Sequence, residues 1–203
     1  MFQTPLRRKF DFPILLNELK LTGHGAEIGV DHSGFAAHMM THWDQSAGSK
    51  YNLIDLYNED PAVNDKGRNQ DQQNEAYAAA QSNVAPFGDR AVFWREHSRK
   101  AQDNFPDGFL DFVYIDAMHT YADCLMDIVK WYPKVRSGGV LAGDDYANAD
   151  EDWYLNKWHM KLDWGVKSAV SDFFRCVNLP VFTTYYDDGK TGYVYPCWYV
   201  IKP

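Results

Sequence analysis

The sequence predicts an α/β fold in which a parallel sheet carries helices on both faces. Short β-forming runs alternate with helix-period segments along most of the chain, the connections between them are short, and Leu110–Asp116 (LDFVYID) is the clearest buried strand. In such a sheet, ligands bind beyond the carboxyl ends of the strands, so functional residues are expected just after strands.

Phe12–Leu21 places Phe12, Leu15, Leu16 and Leu19 at amphipathic-helix spacing before Gly23 and Gly25 interrupt it. Ala26–Val30 then reads as a strand, DHSG as a tight turn, and Phe35–Trp43 as a helix, the opening of a βαβ unit. Tyr51–Tyr57 is rich in β-formers and carries Asp55 near its end. After a polar loop over Asn58–Arg68, Asn69–Asn83 favours helix by composition, Ala91–Trp94 is a third strand, and Arg99–Asn104 is a short helix. Leu110–Asp116 is followed by a helix over Tyr121–Tyr132, with Leu125, Ile128, Val129 and Tyr132 on one face and Pro133 closing it. The SGG that follows turns into a strand at Val140–Ala142. A helix over about Gly165–Arg175 precedes two strand-like runs, Val181–Tyr186 and Tyr193–Ile201, joined as a hairpin through DDGKTG.

At 203 residues the chain is expected to form a single domain able to bury a real core. With 45% hydrophobic and 24% charged residues, and only 14 Gly and 9 Pro, collagen-like, low-complexity and disordered classes are excluded. A net charge of −8 has the wrong sign for gripping a phosphate backbone, which argues against nucleic acid as the main partner. Cys124, Cys176 and Cys197 are odd in number and widely spaced, so neither a disulfide framework nor a CxxC zinc site is implied, and a reducing cytoplasm fits. The N-terminal stretch lacks the apolar run of a signal peptide, and no stretch approaches 18 consecutive apolar residues, so neither secretion by that route nor a membrane span is expected.

Glu27-Ile28-Gly29-Val30-Asp31-His32-Ser33-Gly34 puts an acid inside a strand and two glycines in the turn to a helix, where a backbone can approach a ligand closely. The dinucleotide fingerprint G-x-G-x-x-G is absent, and the same glycines could simply shape a turn. Asp55 ends the next strand, where an acid can bind ribose hydroxyls, so both acids point to a ribosyl ligand.

The run DFVYIDAMHTYADCLMDIVKWYPKVRSGGVLAGDDY (111–146), with its IDxxHxY, GG and GDDY segments, and GVKSAVSDF beginning at Gly165, resembles the class I S-adenosylmethionine-dependent methyltransferases, methyltransferase family 24 in particular. The resemblance spans nearly the whole chain. It implies a Rossmann-like three-layer sandwich with a seven-stranded, mostly parallel sheet and an antiparallel C-terminal strand. It also implies S-adenosylmethionine as cofactor, with Glu27 and Gly29 around its methionine portion, Asp55 on the ribose and Ser98 near the adenine. Ser33 stands where many members have glycine, with Gly34 following, and both belong to the expected cofactor loop, as does Asp116 at its far side.

Asp116 ends the fourth strand and Asp144-Asp145 the fifth. Adjacent strands lie about 4.8 Å apart, so three carboxylates are expected to converge. An all-oxygen set favours Mg2+, which resembles the catechol-type and macrolide-sugar O-methyltransferases; alternatively Asp144 caps the following loop. His119, three residues beyond Asp116, holds the place of the catalytic lysine in catechol-type relatives and is the candidate general base; it could instead orient Asp116 or the substrate. The expected function is methyl transfer to a hydroxyl of a small-molecule acceptor. An NAD(P)-dependent oxidoreductase and a non-catalytic nucleoside-binding protein are the competing readings, the first weakened by the missing glycine fingerprint.

His38 and His42 are read as ordinary helix-surface residues, and Arg7, Arg8 and Lys9 as a solvated basic turn. Tyr146, Trp153, Tyr154, Trp158 and Trp164 form an aromatic segment that suits an acceptor lid, core packing or a homodimer contact equally.

Overall fold

The computed structural model describes residues 6–62, 64, 66–149, 164–184 and 195–203. Seven strands form one sheet: β1 (His24–Ile28), β2 (Tyr51–Ile54), β3 (Ala91–Trp94), β4 (Leu110–Ile115), β5 (Val135–Gly143), β6 (Phe182–Thr183) and β7 (Trp198–Ile201). Their order is β3-β2-β1-β4-β5-β7-β6. β1 to β5 pair in parallel, and β7 runs antiparallel between β5 and β6. The expected seven-stranded sheet with an antiparallel C-terminal strand is therefore present. β6 and β7 pair as the hairpin reading requires, although each is shorter than expected and the DDGKTG connection lies outside the described residues.

The helices are α1 (Phe12–Glu18), α2 (Gly34–His42), α3 (Gln70–Val84), α4 (Ser98–Ala101), α5 (Tyr121–Trp131) and α6 (Val166–Cys176). Strand residues alternate between two apolar layers. Phe112 and Tyr114 of β4 meet Phe12, Leu15 and Leu16 of α1 and Phe35, Met39 and Met40 of α2. Val113 and Ile115 meet Cys124, Ile128 and Trp131 of α5 and Val166, Val170 and Phe174 of α6. The period-2 strand and the period-3.6 helix are thereby matched on both faces of the sheet.

Two local expectations need correction. The inward face of α5 is Cys124, Asp127, Ile128 and Trp131, while Val129 is exposed; the apolar stripe is rotated so that Trp131, the largest side chain, is fully buried. The SGG before the fifth strand is not a turn outside it. Ser137–Gly139 lies within β5 as an irregularity, since Leu110 pairs with Val135 but Phe112 with Val140, and Gly138 adopts the φ of +76° that such a bulge demands.

Trp198 fastens the antiparallel strand to the rest. It is fully buried, pairs with Gly143 and Thr183, and its ring lies 6.0 Å from that of Phe174. Trp198→Ala is expected to cost about 3–5 kcal/mol, read as a lowered urea midpoint.

Candidate functional site

The site is assembled by hydrogen bonds that continue the sheet ladder one residue past each strand. Gly29 N–H donates to the Ile54 carbonyl (2.9 Å), Asp55 N–H to Trp94 (3.2 Å), Asp116 N–H to Ile28 (2.7 Å) and Asp144 N–H to Ile115 (3.0 Å). Gly29, Asp55, Asp116 and Asp144 are thus held along one edge, and β1 lies between β2 and β4, where the strand order reverses. That reversal is the place at which open α/β sheets bind ligands.

A cavity of about 570 Å³ opens there, within the range of cofactor-sized sites. Of the residues singled out from sequence, Glu27, Gly29, Gly34, Asp55, Ser98, Asp116 and His119 line it. Gly29 has φ +84°, and a Cβ on it would lie 1.9 Å from the Asp116 carbonyl oxygen, so no side chain fits. Gly34, at the first turn of α2, has open space where its Cβ would be, leaving the helix N-terminus approachable. Ser33 faces away: it is buried and its hydroxyl donates to the Ala80 carbonyl of α3 (2.9 Å).

Asp55 braces the first loop. One carboxylate oxygen accepts from Val30 N–H (2.9 Å) and Asp31 N–H (3.0 Å), the other from Tyr57 N–H (2.9 Å). Glu27 is buried on β1 with the Tyr51 hydroxyl 3.3 Å away; burial, and then the charge of Asp116, push its pKa well above the ordinary carboxylate value. Across the cavity, Ser98 donates to Asp127 (2.7 Å), a buried carboxyl on α5 whose pKa burial pushes up to about 6. Asp31 would also be raised by burial, but hydrogen bonds from Arg68 and Lys66 and the neighbouring His32 hold it well below the usual range.

On the other side of Asp116 the two consecutive aspartates diverge. Asp145 adopts φ +55°, a left-handed conformation that Asp tolerates better than most residues, and its carboxylate lies 2.9 Å from His119 Nε2. Asp144 points inward and is 8% exposed; its carboxylate accepts from Lys9 Nζ (2.7 Å), from the Cys197 thiol (3.2 Å) and from Asp145 N–H (3.0 Å). Burial and the neighbouring Asp116 charge push its pKa up, against the pull of Lys9. Asp116 is 3.5 Å from Lys9 Nζ and 3.9 Å from His119 Nε2; burial would raise it, but His119 and Lys9 hold it below its ordinary value. The His119 ring stacks on Trp164 with centroids 4.1 Å apart and planes 3° from parallel, and the His119 carbonyl accepts from Gly165 N–H (3.0 Å). Of the aromatic segment, Trp164 therefore belongs to the site and Tyr146 bonds Ser171 of α6 (3.0 Å), whereas Trp153, Tyr154 and Trp158 lie outside the described residues.

Asp116, Asp144 and Asp145 do not close up as one oxygen set. Among the described residues, the donors that gather are Asp116, His119 and Asp145, within 4.8 Å of one another. That set includes a nitrogen, unlike the all-oxygen set expected; its His119 Nε2 and Asp145 carboxylate already face each other at 2.9 Å, and both oxygens of Asp144 already have partners. The residues present do not fit the expected triple-aspartate Mg2+ site.

Sequence reasoning missed Lys9, Asp127 and the Lys66–Arg68 pair. Lys9, read as solvated, is instead largely buried against Asp144 and Asp116. His38 is likewise more than a surface residue: a ring nitrogen lies 2.8 Å from the Phe10 carbonyl. Asp127 carried a signal, since a charged residue three positions after Cys124 and one before Ile128 falls on the inward face of α5.

A family model described as a methyltransferase domain matches residues 26–146, more than half of the chain. A search of functionally curated proteins finds no match. Among solved structures, the chain is similar to an O-methyltransferase from Bacillus cereus in complex with S-adenosylhomocysteine (15% identity, 96% of this chain and 80% of that one, TM-score 0.62). It is similar also to an O-methyltransferase family protein from Burkholderia thailandensis (14%, 95% and 55%, 0.65) and to the N-methyltransferase NodS from Bradyrhizobium japonicum (13%, 95% and 95%, 0.60). No helix among the described residues is long and apolar enough to cross a membrane. With the family motifs lying on the strand ends that build the cavity, the chain belongs to methyltransferase family 24 of the class I S-adenosylmethionine-dependent methyltransferases and is an enzyme of that class.

Proposed function

We propose that the enzyme transfers the methyl group to a hydroxyl of a small molecule, with His119 as general base. The observation that carries this is the Asp145–His119 pair at 2.9 Å, in which His119 lines the cavity beside Asp116 and stacks on Trp164. S-adenosylmethionine supplies an electrophilic methyl on a sulfonium: the acceptor oxygen forms the new C–O bond as the C–S bond breaks, its electron pair leaving on sulfur. His119 takes the hydroxyl proton, and Asp145 stabilises the imidazolium so formed before the proton passes to solvent. The stacked Trp164 ring restricts the imidazole to one plane, so the catalysis is mostly positioning.

Seven Asp or Glu and four Lys or Arg side chains line the cavity as a whole, a surplus suited to a ligand bearing a sulfonium and an ammonium. Burial pushes the Glu27 pKa up, and the cationic methionine portion arriving beside it and Gly29 favours its charged form. Gly34 leaves room at the start of α2, Ser33 anchors the loop on α3, and Asp55 offers its remaining lone pairs to the ribose while bracing the loop. Ser98 and Asp127 stand together at the adenine end. The Mg2+ set of Asp116, Asp144 and Asp145 has less support because Lys9 already fills the gap between two of them.

His119→Ala is expected to lower turnover by about 10²–10⁴ while leaving S-adenosylhomocysteine affinity intact, measured as product formation with a panel of hydroxyl acceptors and by calorimetry. Full activity in that variant would remove the base. Asp55→Ala should weaken S-adenosylhomocysteine binding by about tenfold or more, because two loop N–H groups and the ribose lose their acceptor together. Asp127 is a carboxyl with a folded pKa of about 6, above its unfolded value of about 3.9, so it costs stability above pH 6 and nothing below about pH 4. Asp127→Asn should therefore stabilise the free protein by roughly 2–3 kcal/mol at neutral pH, with the advantage fading as pH falls, in denaturation curves at several pH values.

A further inference from the structure

The chain segment before α1 is not a loose terminus. Leu6 is buried, Arg7 N–H donates to Asp11 (2.8 Å), and Lys9–Asp11 forms a short 3-10 turn. The Phe10 ring lies edge-on to His38 at 4.9 Å, and His38 also contacts the Phe10 carbonyl. This docking carries Lys9 across the carboxyl edge of the sheet, where its side chain is 15% exposed. Its ammonium ends between two carboxylates from neighbouring strands, at 2.7 Å from Asp144 and 3.5 Å from Asp116.

Two partly or wholly buried carboxylates, with Asp145 alongside, repel one another and must be compensated by a cation. We propose that Lys9 is the resident cation of this centre: it occupies the position between Asp116 and Asp144 that a divalent ion would otherwise take, and it fixes both carboxylates without a metal. This rests on reading the cavity as the methyl-transfer site. Lys9 is then a positioning residue. It fixes Asp144 in the inward orientation, leaving Asp145, turned outward by its left-handed backbone, to pair with His119. An ammonium is a compact point charge with a flexible stem, so it can reach between strand ends from a separate segment; a planar guanidinium would meet the same pair less closely.

The test titrates the protein, saturated with S-adenosylhomocysteine, with Mn2+ at neutral pH and follows free Mn2+ by electron paramagnetic resonance. The wild type is expected to bind Mn2+ no better than an exposed acidic surface does, and Lys9→Met to gain at least about tenfold in affinity, because removing the ammonium frees the Asp144 oxygens for a metal. Adding Asp144→Asn to Lys9→Met should abolish the gain, and Lys9→Arg should restore exclusion in part. Calorimetry with S-adenosylhomocysteine reports on each variant's fold. If Lys9→Met no longer binds it, the wild-type titration with Lys9→Arg decides. Tight Mn2+ binding by the wild type, or equal Mn2+ affinity in the wild type and Lys9→Met, overturns the proposal. Failure of the wild type to bind S-adenosylhomocysteine would count instead against the reading of the cavity itself.

Discussion

The contact on which the rest of the site depends is the approach of β1 to β4 at Gly29. There the backbone passes so close to the Asp116 carbonyl that a Cβ would sit 1.9 Å from its oxygen. The approach lets the ladder continue past the strands, and the continued ladder fixes how far Asp55, Asp116 and Asp144 project beyond the sheet. A methyl group at that one position would push apart two central strands whose side chains are packed on both faces, because interiors at crystal-like density transmit displacement rather than absorb it.

Charge organises what the ladder has placed. Burial pushes the pKa values of the Glu27 and Asp127 carboxyls up on opposite sides of the cavity. Other carboxylates have their cations built in, Lys9 between Asp116 and Asp144 and Lys66 and Arg68 on Asp31.

Most of the architecture was legible in the sequence because it is local. The helix at 12–18, the strand-turn-helix at Glu27–Gly34 and the 111–146 run fall where period and turn chemistry put them. The rule about strand ends brought Gly29, Asp55 and Asp116 to the cavity wall, and the family resemblance added Ser98 and His119. What could not be read was side-chain direction after a strand ends. Asp144 and Asp145 are adjacent in sequence, yet one left-handed residue sends them to different partners. Nor could the partner of Asp144 be read, since Lys9 stands 135 positions away and nothing in RRK distinguishes a docked lysine from a solvated one. The rotated face of α5 was missed because Val129 competes with Trp131 for the apolar stripe, and ring size decided the outcome.

Seating Lys9 from the segment ahead of α1 has a consequence for which residues can be altered without touching the site. The Asp116–Asp144 edge has its ammonium because Phe10 packs against His38 and Leu6 lies in the core. Residues preceding α1, ordinarily the first choice for a purification tag or a trimmed boundary, here carry an ammonium to the carboxyl edge of the sheet.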